Sequence, residues 1–197
     1  MAQTISHGSG YAHQAEKPTD ILSDEHRVIE RVLDALQRLT ELPVNQSLGQ
    51  WREALDFFRG FADQCHHFKE ERLLFPAMEE HGIPGEGGPI GMMLQEHEEG
   101  RAHVKAMMAA IEQFSTGIGA ADELLLTHAH AYVTLLREHI QKEDDILFRM
   151  ADEVIPEDEQ RALLKQFEIH EAEEMGAGAH EKYLDLALHL AEVETPP

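Results

Sequence analysis

Four long stretches of this chain carry apolar residues at intervals of three and four, and this periodicity constrains the fold more than any other feature. The first stretch begins at Thr19 or Asp20 and ends before Pro43, and the others cover about 47–80, 90–114 and 121–154. Such spacing gives a helix one continuous apolar face. Because no stretch alternates convincingly between apolar and polar residues, we predict an all-α fold.

Short breaks separate these helices and determine how they pack. The clearest break is GlyIleProGlyGluGlyGlyPro at residues 82–89, because glycine and proline end helices. A connection of a few residues can only return the chain antiparallel to the preceding helix. We therefore expect a flexible arm at residues 1–18, an up-down-up-down four-helix bundle at 19–154, and a C-terminal helical extension at 155–197 that packs on or caps the bundle.

Charge and composition exclude several classes of function. The formal net charge of -22 should repel nucleic acid and anionic membranes, so neither is expected as a partner. No apolar run approaches the roughly 18–20 residues of a membrane helix, and the first residues lack the features of a signal peptide, so a cytoplasmic protein is expected. Cys65 is the only cysteine, which excludes an intrachain disulfide and a cysteine-rich metal site.

The chain contains 14 histidines, and their positions matter more than their number. A His and a Glu four residues apart lie on one face of a helix, where they can hold one ion or two adjacent ions. The second helix offers two such pairs, His66 with Glu70 and His67 with Glu71. The apolar stripe places His66 and Glu70 inside the bundle. It places His67 and Glu71 on the flank, where Glu71 can orient a metal ligand.

The other three helices also present inward polar residues. His139 and Glu143 repeat the His-Glu spacing on the fourth helix, and His26 and His97 lie on the apolar stripes of the first and third. Two carboxylates inside one apolar core are costly unless something compensates their charge. We therefore expect a cationic group between them.

Counting residues from the loops, at about 1.5 Å per residue, puts these side chains at one level of the bundle. Four imidazoles and two carboxylates suit a pair of first-row transition ions, with each Glu bridging both ions and two terminal histidines on each. Calcium and magnesium prefer oxygen ligands, and one zinc ion needs only four ligands. The predicted metal ligands are His26, His66, Glu70, His97, His139 and Glu143.

The motifs HisHisPheLysGluGlu with LeuPhePro, GluHisGluGluGlyArg, and GluHisIleGlnLysGluAsp with LeuPhe, together with His26, resemble the hemerythrin-like (HHE cation-binding) family over roughly residues 19–153. The resemblance implies a non-haem di-iron centre with an oxo or hydroxo bridge. Manganese or zinc can substitute in such a ligand set. Oxygen-carrying members have one histidine more, so the resemblance favours reaction with a small oxidant over reversible oxygen carriage.

Two functions follow from this comparison. The first is a peroxidase-like, catalase-like or nitric oxide-reacting oxidoreductase in oxidative or nitrosative stress. It would use peroxide, nitric oxide or dioxygen and an unknown electron donor. The alternative is an iron or oxygen sensor or store without turnover. A ferritin-like ferroxidase is disfavoured, because that class uses the ExxH spacing.

The C-terminal segment leaves two interpretations open. His170 and Glu174 form a third His-Glu pair, and His180 follows a GlyAlaGlyAla break. These residues either form a solvated acidic helix face or fold over the bundle and reach the metal site.

Overall fold

The computed structural model describes residues 17–115, 121–176 and 178–192, with the side chains of Ser115, Glu174 and Met175 left aside. Almost all of the predicted arm at 1–18 lies outside these ranges. The described residues form six helices and no strand, which confirms the all-α prediction. The helices are α1 (Pro18–Leu39), α2 (44–80), α3 (Pro89–Ser115), α4 (121–154), α5 (157–175) and α6 (Ala179–Ala191).

Local sequence signals set the helix ends. Pro18 opens α1, and the backbone N–H of Lys17 donates to the Asp20 carboxylate at 3.1 Å. Proline suits the first turn of a helix because the N–H groups of that turn have no acceptor within the helix, so the missing N–H of proline costs no hydrogen bond. After α2, Gly82 adopts a φ of 91°, a left-handed conformation that favours glycine.

Three of the described helices contain π-helical segments, and that of α5 is Glu171–Met175. Within α2 these are Phe58–His67 and Glu70–Leu74, flanked by the α-helical segments Val44–Phe57 and Phe75–Glu80. Within α4 the π-helical segment is Glu143–Leu147, between Ala121–Lys142 and Phe148–Val154. A π-helix has wider turns than an α-helix, so it changes which residues face the interior. The predicted ligand pairs His66–Glu70 and His139–Glu143 both lie at such segments.

The apolar core consists of two clusters, one towards each end of the bundle. The first contains Leu36, Trp51 and Phe58, and the second contains Met78 and Phe148. Along α1, α2 and α3 the predicted ligands fall between the residues of the first cluster and those of the second, and along α4 they lie at the boundary, with Ile140 of the first cluster between His139 and Glu143. The bundle therefore has a polar layer enclosed between two apolar ones.

The C-terminal helices complete this core. Helix α6 packs against α1 and α2, and its Ala187 and Leu190 are buried in the first cluster. Its Tyr183 lies so close to Gly60 that a Cβ atom there would be 1.8 Å from the Tyr183 hydroxyl. Helix α5 contributes Phe167 to the second cluster. Among the described residues, no helix is long and apolar enough to cross a membrane.

Candidate metal centre

The six predicted ligands meet in the polar layer, and each is at most 1% exposed. Glu70 lies between two histidines of different helices, with Oε1 3.3 Å from His66 Nε2 and Oε2 3.5 Å from His97 Nε2. Glu143 Oε2 lies 3.3 Å from His26 Nε2 and 3.2 Å from His139 Nε2. Each carboxylate is thus within reach of two imidazoles that come from different helices.

The ligand atoms form two groups that share Glu70. Within each group, the atoms lie within 4.8 Å of one another. One group contains His26, His66, Glu70 and Glu143, and the other contains His67, Glu70, His97 and His139. Adjacent groups that share a carboxylate are the arrangement expected for two neighbouring ions.

The prediction that His67 lies on the flank is wrong. His67 is 5% exposed, and its ring stacks on His97 with 3.9 Å between ring centroids. The physical reason is the π-helical segment Phe58–His67, whose wide turns bring the consecutive residues His66 and His67 to the same interior. The cluster therefore contains five histidines. The sequence analysis counted four, one fewer than in the oxygen-carrying members, and that difference does not disfavour oxygen carriage once His67 is included.

Buried polar atoms without partners test whether a metal fits this cluster. Among the residues that the structure describes, neither carboxylate oxygen of Glu70 or of Glu143 has a hydrogen-bond partner, and His26 Nε2 has none either. Burial and the negative charge of Glu143 raise the pKa of Glu70. Buried polar groups are normally hydrogen-bonded, and buried charges are paired or bind metals. The donor set therefore fits metal cations.

Four of the histidines are oriented by carboxylates that contact their Nδ1 atoms. An Nδ1–H that donates to a carboxylate leaves the Nε2 lone pair free for a metal. Each carboxylate comes from a neighbouring helix, and together the four contacts form a closed ring through α1, α2, α3 and α4. The contacts are Glu25 with His66 at 2.9 Å, Glu71 with His97 at 2.7 Å, Glu96 with His139 at 2.9 Å, and Asp144 with His26 at 2.9 Å.

A cation also pairs with each of these carboxylates, through the second oxygen of Glu25, Glu96 and Asp144 and through the same oxygen, Oε1, of Glu71. The pairs are Lys69 with Glu25, Arg101 with Glu71, Lys142 with Glu96, and Arg27 with Asp144. Each carboxylate is therefore held in position by a histidine and a cation. Burial raises the pKa of Glu25, but the charge of Lys69 and the contact with His66 lower it to about 2.

The histidines differ in their affinity for protons. Burial lowers the pKa of His66 and of His139, but the neighbouring Glu70 and Glu143, respectively, raise each of these pKa values to about 10. Burial lowers the pKa of His67 to about 4. Metal binding must therefore displace protons from His66 and His139.

The C-terminal histidines lie outside both groups of ligands. The His170 ring stacks on Phe68 at 3.7 Å, and its Nε2–H donates to the Gln64 carbonyl oxygen at 3.0 Å. His180 Nε2 lies 3.8 Å from Glu25 Oε1. The Glu174 side chain lies outside the described residues. His180 thus contacts a residue that orients a ligand, whereas His170 packs on α2 beside the ligands, and neither belongs to the cluster.

Buried histidines and carboxylates in one layer of a helical bundle are typical of metal-binding proteins of this architecture. The family model "Hemerythrin HHE cation binding domain" matches residues 17–151, most of the chain. The chain belongs to this family, which confirms the resemblance drawn from its motifs.

Two kinds of relative were found among curated proteins. Uncharacterized proteins of Mycobacterium bovis and Mycobacterium tuberculosis are 23% identical over 172 residues, which cover 85% of this chain but 66% of the relatives. The iron-sulfur cluster repair protein DnrN of Neisseria gonorrhoeae is 34% identical over 85 residues, which cover 42% of this chain and 54% of that protein. The chain thus spans slightly less than two thirds of the mycobacterial relatives. No solved structure matches significantly.

Proposed function

We propose that this cluster holds two iron ions and that the protein reacts with a small oxidant, namely hydrogen peroxide, nitric oxide or dioxygen. The observation that carries the proposal is the position of Glu70 and Glu143. Both are fully buried, neither has a hydrogen-bond partner in the described part of the chain, and each lies between two histidines. Iron, when bound, supplies electron transfer between its ferrous and ferric states.

The number of donor atoms leaves room for a small molecule. The six predicted ligands supply four ring nitrogens and four carboxylate oxygens, whereas two six-coordinate ions take about twelve donors. Positions therefore remain for a bridging oxygen and an exogenous molecule, even when His67 also binds.

The surrounding residues support this chemistry. The two apolar clusters exclude bulk water from the polar layer, and a dry site strengthens the electrostatic interactions within it. The ring of carboxylates holds the histidine nitrogens towards the centre. The DnrN relative is named an iron-sulfur cluster repair protein, and our proposal includes a role in oxidative or nitrosative stress. Turnover would need an electron donor, and manganese or zinc can occupy the same ligands.

Metal analysis and reactivity test the proposal together. Freshly prepared protein should contain about two irons per chain and show the absorption of oxo-bridged ferric iron. Glu143→Gln should lose iron, whereas Glu138→Gln, an exposed position on the same helix, should keep it. If protein with full iron content neither consumes hydrogen peroxide nor reacts with nitric oxide, the catalytic proposal fails.

A second candidate is a sensor or store of iron or oxygen without turnover. The observation that favours it is the contact of Lys69 with both Glu25 and Glu171, because it links helix α5 to the residue that orients His66. Metal occupancy would then change the protection of residues 157–192 in hydrogen exchange. Metal-dependent protection without turnover supports this function, and Glu171→Gln should reduce that protection.

A further inference from the structure

A cavity of about 230 Å³ lies beside the metal centre, between helices α2, α3 and α4. Its walls include the apolar side chains of Phe58, Val104, Met108 and Tyr132. His67 also lines it. The two groups of candidate ligand atoms come from seven residues, and His67 is the only one of the seven that lines the cavity. The cavity therefore meets the candidate metal centre at one side chain.

A glycine, Gly100, helps to keep the cavity open because it has no side chain. Gly100 is buried and lines the cavity opposite Tyr132, and a Cβ atom at Gly100 would lie 3.4 Å from Tyr132 Cε2. The Tyr132 ring is itself held by an edge contact with Phe58 at 4.9 Å between centroids. A larger residue at position 100 would project into the cavity, because the opposite wall is packed.

The charged residues around the cavity are largely neutralised. Arg101 contacts Asp63 at 2.7 Å, and Arg59 contacts Asp56 at 3.1 Å. Lys105 is exposed to solvent. Apolar cavities favour uncharged, weakly hydrated molecules, because an ion would lose its hydration without compensation.

His67 is held differently from the other histidines of the cluster. Its Nδ1 atom is buried and has no hydrogen-bond partner within the described ranges, and Asp63 Oδ1 lies 3.6 Å away. The other four Nδ1 atoms contact carboxylates at 2.7 to 2.9 Å. The His67 ring therefore lacks the contact that fixes its neighbours, although it stacks on His97. It is the histidine that can turn at the least cost.

We propose that this cavity binds small uncharged molecules and that His67 gates their passage to the metal centre. The gating role rests on the proposed function, whereas the cavity's capacity to bind an apolar probe does not. The class of ligand is a diatomic gas or another uncharged molecule of similar size. Anions are disfavoured by the apolar walls.

Xenon tests the cavity without any reaction, since it binds in spaces lined by apolar side chains. In xenon-pressurised crystals of the wild-type protein we expect one atom among Phe58, Gly100 and Tyr132. Gly100→Leu should abolish that binding. Absence of xenon from the wild-type cavity would overturn the proposal, whatever the metal centre does.

Stopped-flow absorbance with nitric oxide tests passage to the iron-loaded centre. Met108→Trp should cover the cavity from its partly exposed edge and slow association by about tenfold or more. Met92→Trp makes the same change on the same helix at a residue that does not line the cavity and is 54% exposed, so its rate should equal that of the wild type. Unchanged rates in both Met108→Trp and Gly100→Leu, at full iron content, would overturn the proposal.

His67→Ala tests the gate itself. We expect faster association of nitric oxide than in the wild-type protein when the two are compared at equal iron content. Loss of iron from this variant would show that His67 is a fixed ligand and would overturn gating. If the iron-loaded wild-type protein reacts with neither nitric oxide nor hydrogen peroxide, the proposed function fails, and the xenon result still decides whether the cavity binds a small apolar molecule.

Discussion

Replacing Lys69 with methionine should destabilise the protein strongly. Lys69 is completely buried, and its ammonium group contacts both Glu25 and Glu171. Methionine keeps most of the apolar stem but removes the charge. Glu25, which is 4% exposed, would then remain buried with His66 as its principal partner.

The magnitude follows from the burial of the pair. Removing one partner of a buried ion pair costs about 3–5 kcal/mol, because an uncompensated charge stays buried. The pKa of Glu25 is lowered from 4.5 to about 2 as the net result of burial, which raises it, and of Lys69 and His66, which lower it. For a domain of this length, the loss lowers the midpoint of thermal unfolding by about 6–20 °C.

The assay is chemical denaturation of the metal-free protein at neutral pH. Lys165→Met, an exposed lysine on α5, serves as the matched control and should have little effect. The double variant Glu25→Gln with Lys69→Met should recover part of the loss, because no buried charge remains. A lowered pKa stabilises the fold above pH 4.5 and loses that effect as pH falls towards 2, so the difference between Lys69→Met and the wild type should shrink below pH 4.5. A loss below about 1 kcal/mol would refute the reasoning, since exposed pairs contribute that little.

Three further predictions concern the ring of carboxylates, the bound protons and the C-terminal helix. Glu71→Gln should weaken metal affinity by about 10–100-fold, because it removes the carboxylate that orients His97. Glu98, which is 75% exposed, provides the control, and Glu98→Gln should leave metal affinity unchanged in titrations with a competing chelator. Metal binding should release protons and weaken as pH falls, because the pKa values of His66 and His139 lie at about 10 in the metal-free state; calorimetry in two buffers of different ionisation enthalpy measures this release, and equal heats would contradict it. Gly60→Ala should destabilise the protein by about 1–3 kcal/mol through its clash with Tyr183, whereas Gly49→Ala, with nothing within 4 Å of its Cβ, should be neutral or stabilising in thermal unfolding.

The sequence predicted most of the fold because helical periodicity and loop length are local properties. It also brought six polar side chains to one level, since the rise of an α-helix is constant. His67 was misplaced because the argument assumed α-helical turns, and the π-helical segment Phe58–His67 changes the direction of successive side chains. No residue type in that segment signals a π-helix on its own.

Of the four carboxylates that orient histidines, only Glu71 was predicted to do so from the sequence. A signal for the others exists in the sequence, because Glu25, Glu96 and Asp144 each stand next to a predicted ligand, as Glu71 does. Each of them contacts a histidine of a different helix. Periodicity within one helix cannot reveal such a partner, because the contact depends on how neighbouring helices are rotated against each other.

The closed ring of carboxylate contacts has a consequence for protein design. Each of the four helices α1 to α4 supplies one orienting acid and receives one from a neighbour. A His-Glu motif grafted onto an unrelated helix would bring the ligands and leave behind the groups that aim them. The transferable unit is the complete set of four helices, and a synthetic version should copy the acids beside the ligands as faithfully as the ligands themselves.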